Sequence, residues 1–292
     1  MQAFETKAFA VVGGDGRQAR LCGLLTEEGH RVRTFALERC ALPPQTERCA
    51  SVREACAGAD CVILPMPLVS GPGRLNAPLA GAEVPLCGVF AGIAAGTLVC
   101  GGAADEKSRL LAEKQGLRLV DYSAREEVAV AHAVPTAEGA IQMAMAELPV
   151  TISGSRCLVI GCGRIGKALS ARLRALGASV AVSARKPQDF AWIRAMGNRP
   201  LHTAALEDEL AGFDALFNTV PAPVLGREQL RRVRGDALVV DLASRPGGVD
   251  FDAAGELGLN VRRALSLPGK TAPLTSARII RQAVGDIMEE IG

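Results

Sequence analysis

The sequence predicts an α/β protein built from two doubly wound domains, with a helix between them and a cleft where they meet. Apolar runs of strand length alternate with helical segments through both halves of the chain, the rhythm of mainly parallel sheets. Residues 155–169 read as strand, G-x-G-x-x-G and helix, the order of a dinucleotide-binding βαβ unit. At 292 residues the chain is also long enough for two separate cores. These observations make both domains Rossmann-like.

The first domain is expected over 1–148. Strand 8–12 runs into the turn Gly13-Gly14-Asp15-Gly16, and helix 17–28 ends at Gly29. Strand 31–35, a short helix at 52–57 and strands at 61–65 and 86–90 follow. Helix 106–115 ends at Gly116 before strand 118–121. The Gly13–Gly16 turn looks like a second phosphate loop. Its spacing is wrong, however, and Asp15 would put a negative charge in an anion cradle. It reads as a degenerate nucleotide fold serving substrate or packing. Helix 136–147, opened by Pro135 and followed by Pro149, carries the small residues Ala137, Ala140 and Ala144. Small residues allow close approach, so this helix is the expected connector. The second domain, 149–292, has expected strands at 157–160, 179–183, 215–218, 238–241 and 259–264, and a last helix, 275–291, that packs back on the first domain.

Each glycine of the 161–166 loop has a separate task. Gly161 permits the tight turn off the strand, Gly163 lets backbone approach a pyrophosphate, and Gly166 lets the helix lie close to the sheet. Arg164 and Ile165 belong to the same cradle. The end of the next strand reads Ser183-Ala184-Arg185-Lys186, with no carboxylate before Asp189. An NAD site usually has an acid there to hold the ribose 2′-hydroxyl. Arg185 and Lys186 instead suit a 2′-phosphate, with Ser183 as hydrogen-bond donor, so the expected cofactor is NADP. The same two residues would also sit harmlessly as solvated cations on a βα loop, a reading that the missing acid disfavours.

Composition narrows the function. Apolar residues make up 49% and charged residues 22%, values of a soluble globular protein. A net charge of +2 offers no case for nucleic acid or an anionic membrane, and 3% aromatics argue against base stacking. The nine cysteines include no C-x-x-C pair and read as small buried hydrophobes in a reducing cytosol. With His30, His132 and His202 scattered, no metal site is expected. Residues 1–7 carry Glu5 and lead straight into a strand, so no signal peptide is expected. The uncharged stretch 84–104 contains Pro85, Gly88, Gly92, Gly96, Gly101 and Gly102, which favour short buried segments over a membrane span.

Several strings resemble one known family. They are Val12-Gly13-Gly14-Asp15, Ile63-Leu64-Pro65, Arg125-Glu126-Glu127, Val134-Pro135-Thr136-Ala137-Glu138-Gly139, Asn218-Thr219-Val220-Pro221, Asp241-Leu242-Ala243-Ser244-Arg245-Pro246-Gly247-Gly248 and Leu267-Pro268-Gly269-Lys270-Thr271-Ala272-Pro273. In this order, and over nearly the whole length, they resemble the A subunit of dipicolinate synthase from spore-forming bacteria. Two positions depart from that pattern: His132, where Asn is more frequent, and Leu274, where a Lys often follows Ala-Pro.

The resemblance implies a cytoplasmic oxidoreductase of the sporulating mother cell. It would use NADP to make pyridine-2,6-dicarboxylate from a dihydro- or hydroxytetrahydrodipicolinate precursor of the lysine pathway. It also implies a partner, the flavoprotein-like B subunit of dipicolinate synthase. The plan is shared with the 2-hydroxyacid dehydrogenases, and a homo-oligomer is compatible with it. Oxidation to the aromatic ring removes one hydride and one proton. A dicarboxylate substrate calls for two cationic or donor clusters beside the nicotinamide. By analogy with those dehydrogenases, Arg245 is the expected carboxylate ligand, and Lys270 stands where they carry an acid/base His. Arg125 is the candidate from the first domain. Glu138, or a water, is the expected proton acceptor, with Thr136 and Ser244 as donors. Thr136 and Glu138 also have plain structural readings as the N-cap and first-turn acid of the connector helix. The loop Thr219-Val220-Pro221 is expected under the nicotinamide ribose. The alternative is an NADP-binding regulatory or assembly subunit whose partner does the chemistry.

Overall fold

The computed structural model describes residues 6–291, so most of the expected 1–7 lead-in, Glu5 included, lies outside the described residues. The chain forms two compact units, 1–129 with 272–292 and 130–271.

The first unit begins β1 (Ala8–Val12), α1 (Gly16–Glu27), β2 (Arg31–Phe35), β3 (Glu47–Arg48), α2 (Val52–Cys56) and β4 (Cys61–Ile63). It continues through the hairpin β5 (Val69–Gly71) and β6 (Arg74–Leu75), then α3 (Leu86–Ala91), β7 (Leu98–Gly101), α4 (Glu106–Lys114) and β8 (Arg118–Asp121). Six strands form a parallel sheet in the order β3-β2-β1-β4-β7-β8. The chain therefore winds outward from β1, returns beside it with β4 and winds the other way. β4 and β7 are buried at every residue, which is why they read as continuous apolar runs.

One predicted strand is a helix. Residues 86–90 form α3, with Leu86, Val89 and Phe90 buried at helical spacing, and 98–101 take the sheet position as β7. A five-residue apolar run does not separate a buried strand from a buried helix by hydrophobicity alone.

Helix α5 (Glu126–Glu147) starts ten residues before the expected connector, and Pro135 lies inside it rather than at its start. Proline has no amide for the carbonyl of Ala131. In the next position the Thr136 hydroxyl donates to the carbonyl of His132 at 2.7 Å. The two units divide within α5, between residues 129 and 130, rather than at the expected 148/149. The reason is packing: Ala137, Ala140 and Ala144 are fully enclosed and join the core of the second unit.

The second unit continues with β9 (Arg156–Ile160), α6 (Arg164–Ala175), β10 (Ser179–Ala184), α7 (Pro187–Ala195), β11 (Arg199–His202) and β12 (Ala215–Asn218). Then come α8 (Arg227–Leu230), β13 (Leu238–Asp241), α9 (Phe251–Glu256), β14 (Asn260–Arg263) and α10 (Leu267–Thr271). Its parallel sheet runs β11-β10-β9-β12-β13-β14, the same doubly wound order as the first. The last helix, α11 (Pro273–Ile291), belongs to the first unit. It buries Ala277, Ile280, Ala283, Val284 and Ile287 at helical spacing in the cluster that holds Leu21 and Leu25 of α1. Among the described residues, no helix is long and apolar enough to cross a membrane.

Candidate functional site

Because every strand of the second sheet is parallel, the segments that follow the strands emerge along one edge. That edge carries the glycine loop after β9, Arg185 and Lys186 after β10, Thr219–Pro221 after β12, Ser244 and Arg245 after β13, and Lys270 in α10 after β14. The sheet reverses its winding between β9 and β12, the place where such folds bind ligands.

In the glycine loop, Gly161 makes the tight turn and Gly166 the close helix contact. Gly161 has φ +103°, and a Cβ there would sit 2.6 Å from Thr219 Oγ1. A Cβ on Gly166 would lie 2.0 Å from the carbonyl oxygen of Gly161, so only glycine lets α6 come this close to the turn. A Cβ on Gly163 would meet nothing within 4 Å. Gly163 is the N-cap of α6 and makes no side-chain capping hydrogen bond to it. Arg164 is exposed and Ile165 half-buried in the first turn. Cys162 between the glycines remains a thiol, because burial, and then the charge of Asp189, push its pKa up against the pull of Lys167.

Arg185 and Lys186 are exposed and make no ion pair with any described residue. Ser183 departs from expectation. It is fully enclosed, and its hydroxyl has no hydrogen-bond partner among the described residues.

The next two loops are tied together by groups the sequence reading did not single out. The buried Asp241 carboxyl accepts from Asn218 Nδ2 at 2.8 Å and from the amides of Ala243 at 3.3 Å and Gly248 at 3.2 Å. Asn218 in turn closes on Val220, with Nδ2 donating to its carbonyl and Oδ1 accepting from its amide, both at 3.0 Å. Thr219 Oγ1 donates to the carbonyl of Ile160 at 2.8 Å, which anchors the Thr219–Pro221 loop beside the glycine turn. The paired glycines 247 and 248 were the available signal. Gly247 has φ +92°, and a Cβ on Gly248 would lie 2.4 Å from Asn218 Nδ2. Ser244, Arg245 and Lys270 are all exposed on this edge, and neither cation has an ion-pair partner among the described residues.

Two candidates of the second unit are not brought there, and the one from the first unit is already engaged within its own unit. Glu138 is exposed and pairs with Arg172 at 3.3 Å, in the last part of α6 and far along that helix from the glycine loop. It borders a shallow apolar groove of Ile141, Met145, Ala175 and Leu176. Because α5 starts at Glu126, residue 138 is mid-helix and faces outward, which removes it as the proton acceptor. Thr136 is buried with its hydroxyl committed to the His132 carbonyl, so it is neither an N-cap nor a free donor. Arg125 is held within the first unit by both oxygens of Glu290, at 2.8 and 2.7 Å, and by Glu127. Those hydrogen bonds keep its guanidinium charged and occupied.

The Gly13–Gly16 turn is closed to an anion. Asp15 caps α1 by accepting from the Arg17 amide, and its carboxylate binds the buried Arg17 guanidinium at 2.9 and 2.8 Å. The Gln18 side chain fills the space over Gly14, and Leu75 that over Gly13. Among the described residues, one trio (Glu47, Cys49 and Glu54) gathers metal-ligand atoms within 4.8 Å of one another, with both carboxylates exposed. Glu47 already pairs with Arg33, and Glu54 accepts the amide of Ala50.

The edge of the second sheet fits a nicotinamide dinucleotide: an uncapped helix start, open space over Gly163 and a Gly166 that tolerates no Cβ. Comparison with known proteins agrees. Residues 8–123 match the family model of the N-terminal domain of the dipicolinate synthase A subunit, and residues 124–254 that of the D-isomer specific 2-hydroxyacid dehydrogenase NAD binding domain. The dipicolinate synthase A subunit of Bacillus subtilis strain 168 is 31% identical, over 97% of this chain and 96% of its own. The chain belongs to the dipicolinate synthase A-subunit family. Within that family, the crystal structure from Bacillus halodurans matches 97% of this chain and 98% of its own, with TM-score 0.88 and 28% identity. The crystal structure from Bacillus subtilis matches 100% of this chain and 99% of its own, with TM-score 0.86 and 30% identity. This member of the A-subunit family thus has two parallel-sheet Rossmann-like domains, the second a nicotinamide-dinucleotide-binding dehydrogenase domain.

Proposed function

We propose that this chain is an NADP-dependent oxidoreductase that converts dihydrodipicolinate, derived from 4-hydroxy-tetrahydrodipicolinate, to dipicolinate. It would act on a CH–CH bond, in the cytoplasm of the mother cell during sporulation, partnered by a B subunit. The observation that carries the reading is the edge of the second sheet. It offers an open pyrophosphate cradle and, two and three strands from it, the unpaired cations Arg245 and Lys270, in a member of the A-subunit family.

When bound, NADP supplies the hydride acceptor. The protein's part is to bind and orient. Gly161, Gly163, Arg164, Ile165 and Gly166 cradle the pyrophosphate, and Arg185 and Lys186 pair with the 2′-phosphate. Thr219, Val220 and Pro221 support the nicotinamide end. Arg245 takes one substrate carboxylate in a forked contact, Lys270 takes the other, and Ser244 adds a donor. The proton released on aromatisation passes to water. The gain in ring stability lowers the need for a strong base.

The test is to mix purified chain, NADP and enzymatically made precursor and to follow NADPH and dipicolinate absorbance. Coupled growth of both supports the proposal. Tight NADP binding with no turnover until a partner is added would favour the regulatory or assembly reading instead.

A further inference from the structure

We infer that Asp241 is a positioning residue for Arg245, and that Asn218 completes its hold on the substrate-facing turn. The inference rests on the reading of Arg245 as a carboxylate ligand. Asp241 ends β13 and is 1% exposed. No cation pairs with it among the described residues. All its donors are neutral: Asn218 Nδ2 and the Ala243 amide on Oδ1, and the Gly248 amide on Oδ2. Both oxygens accept hydrogen bonds from the turn and from Asn218. Enclosing so polar a side chain costs stability that an apolar residue would not, so packing alone does not account for it.

The geometry shows what the carboxylate does. Its contacts lie at the two ends of one turn, Ala243 at the start and Gly248 at the finish. The exposed Ser244 and Arg245 lie between them. One carboxyl thus closes the loop that presents Arg245. Gly247 exists to allow it: with φ +92°, any Cβ there would fall 2.6 Å from Asp241 Oδ2. Gly248 allows the far end to reach Asn218, and its carbonyl accepts from the amides of Val224 at 3.0 Å and Leu225 at 2.9 Å. Asn218 also bonds the Val220 carbonyl and amide, so the loop after β12 has contacts besides the one to Asp241.

The experiment compares the full chain with Asp241→Asn, Arg245→Met and the double variant. It reads amide hydrogen exchange over 242–248, calorimetric affinity for NADPH and for dipicolinate, and steady-state kinetics. Asp241→Asn sets an amide NH₂ against a donor, so exchange in the turn should rise at least tenfold. Dipicolinate affinity should fall at least tenfold, mainly as a raised KM in turnover. NADPH affinity should stay within threefold. The double variant should bind dipicolinate no worse than Arg245→Met within twofold, because both changes remove the same contact. Additive losses would overturn the inference, and so would unchanged exchange, or a loosened turn with unchanged dipicolinate affinity. If the unmodified chain binds NADPH but not dipicolinate, the proposed reaction falls. Whether the carboxyl orders the turn is then decided by exchange alone. Should Asp241→Asn fail to fold, Gly247→Ala opens the turn from the other side and is read identically.

Discussion

The glycine loop supports a paired test in which two similar substitutions fail for different reasons. Gly163→Val puts a branched side chain into space that no protein atom occupies within 4 Å of the new Cβ, at a position with φ −79° that any residue accepts. The cost to the fold is the poorer N-cap alone, about 1 kcal/mol. The same side chain fills the pyrophosphate approach, so cofactor affinity should drop by about 2–4 kcal/mol, roughly 30- to 1,000-fold. Gly166→Ala is the reverse case. Its Cβ would sit 2.0 Å from a backbone oxygen, where ordinary contact begins near 3.4 Å, so α6 must move off the sheet. Overpacking of this kind costs about 1–3 kcal/mol of stability before any ligand is added. Thermal unfolding with and without NADP separates the two. At a hundredfold excess over Kd the cofactor should stabilise the unmodified protein by about 2.7 kcal/mol, a rise of roughly 5–11 °C. Gly163→Val should start near the unmodified melting temperature and, at the same NADP concentration, gain at most about 0.9 kcal/mol, a third of the unmodified rise or less. Gly166→Ala should start lower. A full cofactor shift in Gly163→Val would mean that the anion does not bind over this glycine.

Other predictions address the cations and the closed first-unit turn. Arg185→Asp should weaken NADP relative to NAD by about 2–4 kcal/mol, since it removes a phosphate partner and adds repulsion; equal affinity of the unmodified protein for NAD and NADP by calorimetry would refute the 2′-phosphate argument. Arg245→Met should keep NADP binding and lower kcat/KM by about 2–4 kcal/mol, because methionine keeps much of the stem but not the fork; wild-type kinetics would remove Arg245 from the site. Asp15→Asn should destabilise the protein by about 2–3 kcal/mol at pH 7, as it keeps a capping side chain but leaves the buried Arg17 without its anion. Burial opposes the Asp15 charge, but the hydrogen bonds and charge of Arg17 outweigh it and hold its pKa below 3.8. A folded-state pKa lowered in this way gives stability that is present above the unfolded value and lost as pH falls through the folded one. The gap between the two proteins in urea unfolding should therefore close below about pH 3.8. A gap unchanged at lower pH would show that the ion pair is not its source.

The nucleotide-binding unit was legible because its signals are local. Strand β9, three glycines and α6 follow one another along the chain, and each glycine answers a contact made inside that span or on a neighbouring strand. The same holds for Arg185 and Lys186, whose place follows from the end of a strand. The order of residues was enough for the alternation of strands and helices, the family, and the edge of the sheet on which the loops emerge. Other features depended on packing between distant segments. The run at 86–90 is a helix because 98–101 fills the slot beside β4, a choice between two apolar segments that pairing settles and hydrophobicity does not. Glu138 looked like a helix-start acid because Pro135 precedes it. An interior proline is tolerated here because Ala137, Ala140 and Ala144 are held in the core, and the helix that results turns Glu138 outward to Arg172. Asp241 and Asn218 meet only because β12 and β13 are neighbours in register, so along the chain the carboxyl that closes the Arg245 turn is marked only indirectly, by the paired glycines 247 and 248. Interactions within a few residues are written in the order of the amino acids; those between strands depend on which strands the folded sheet sets side by side.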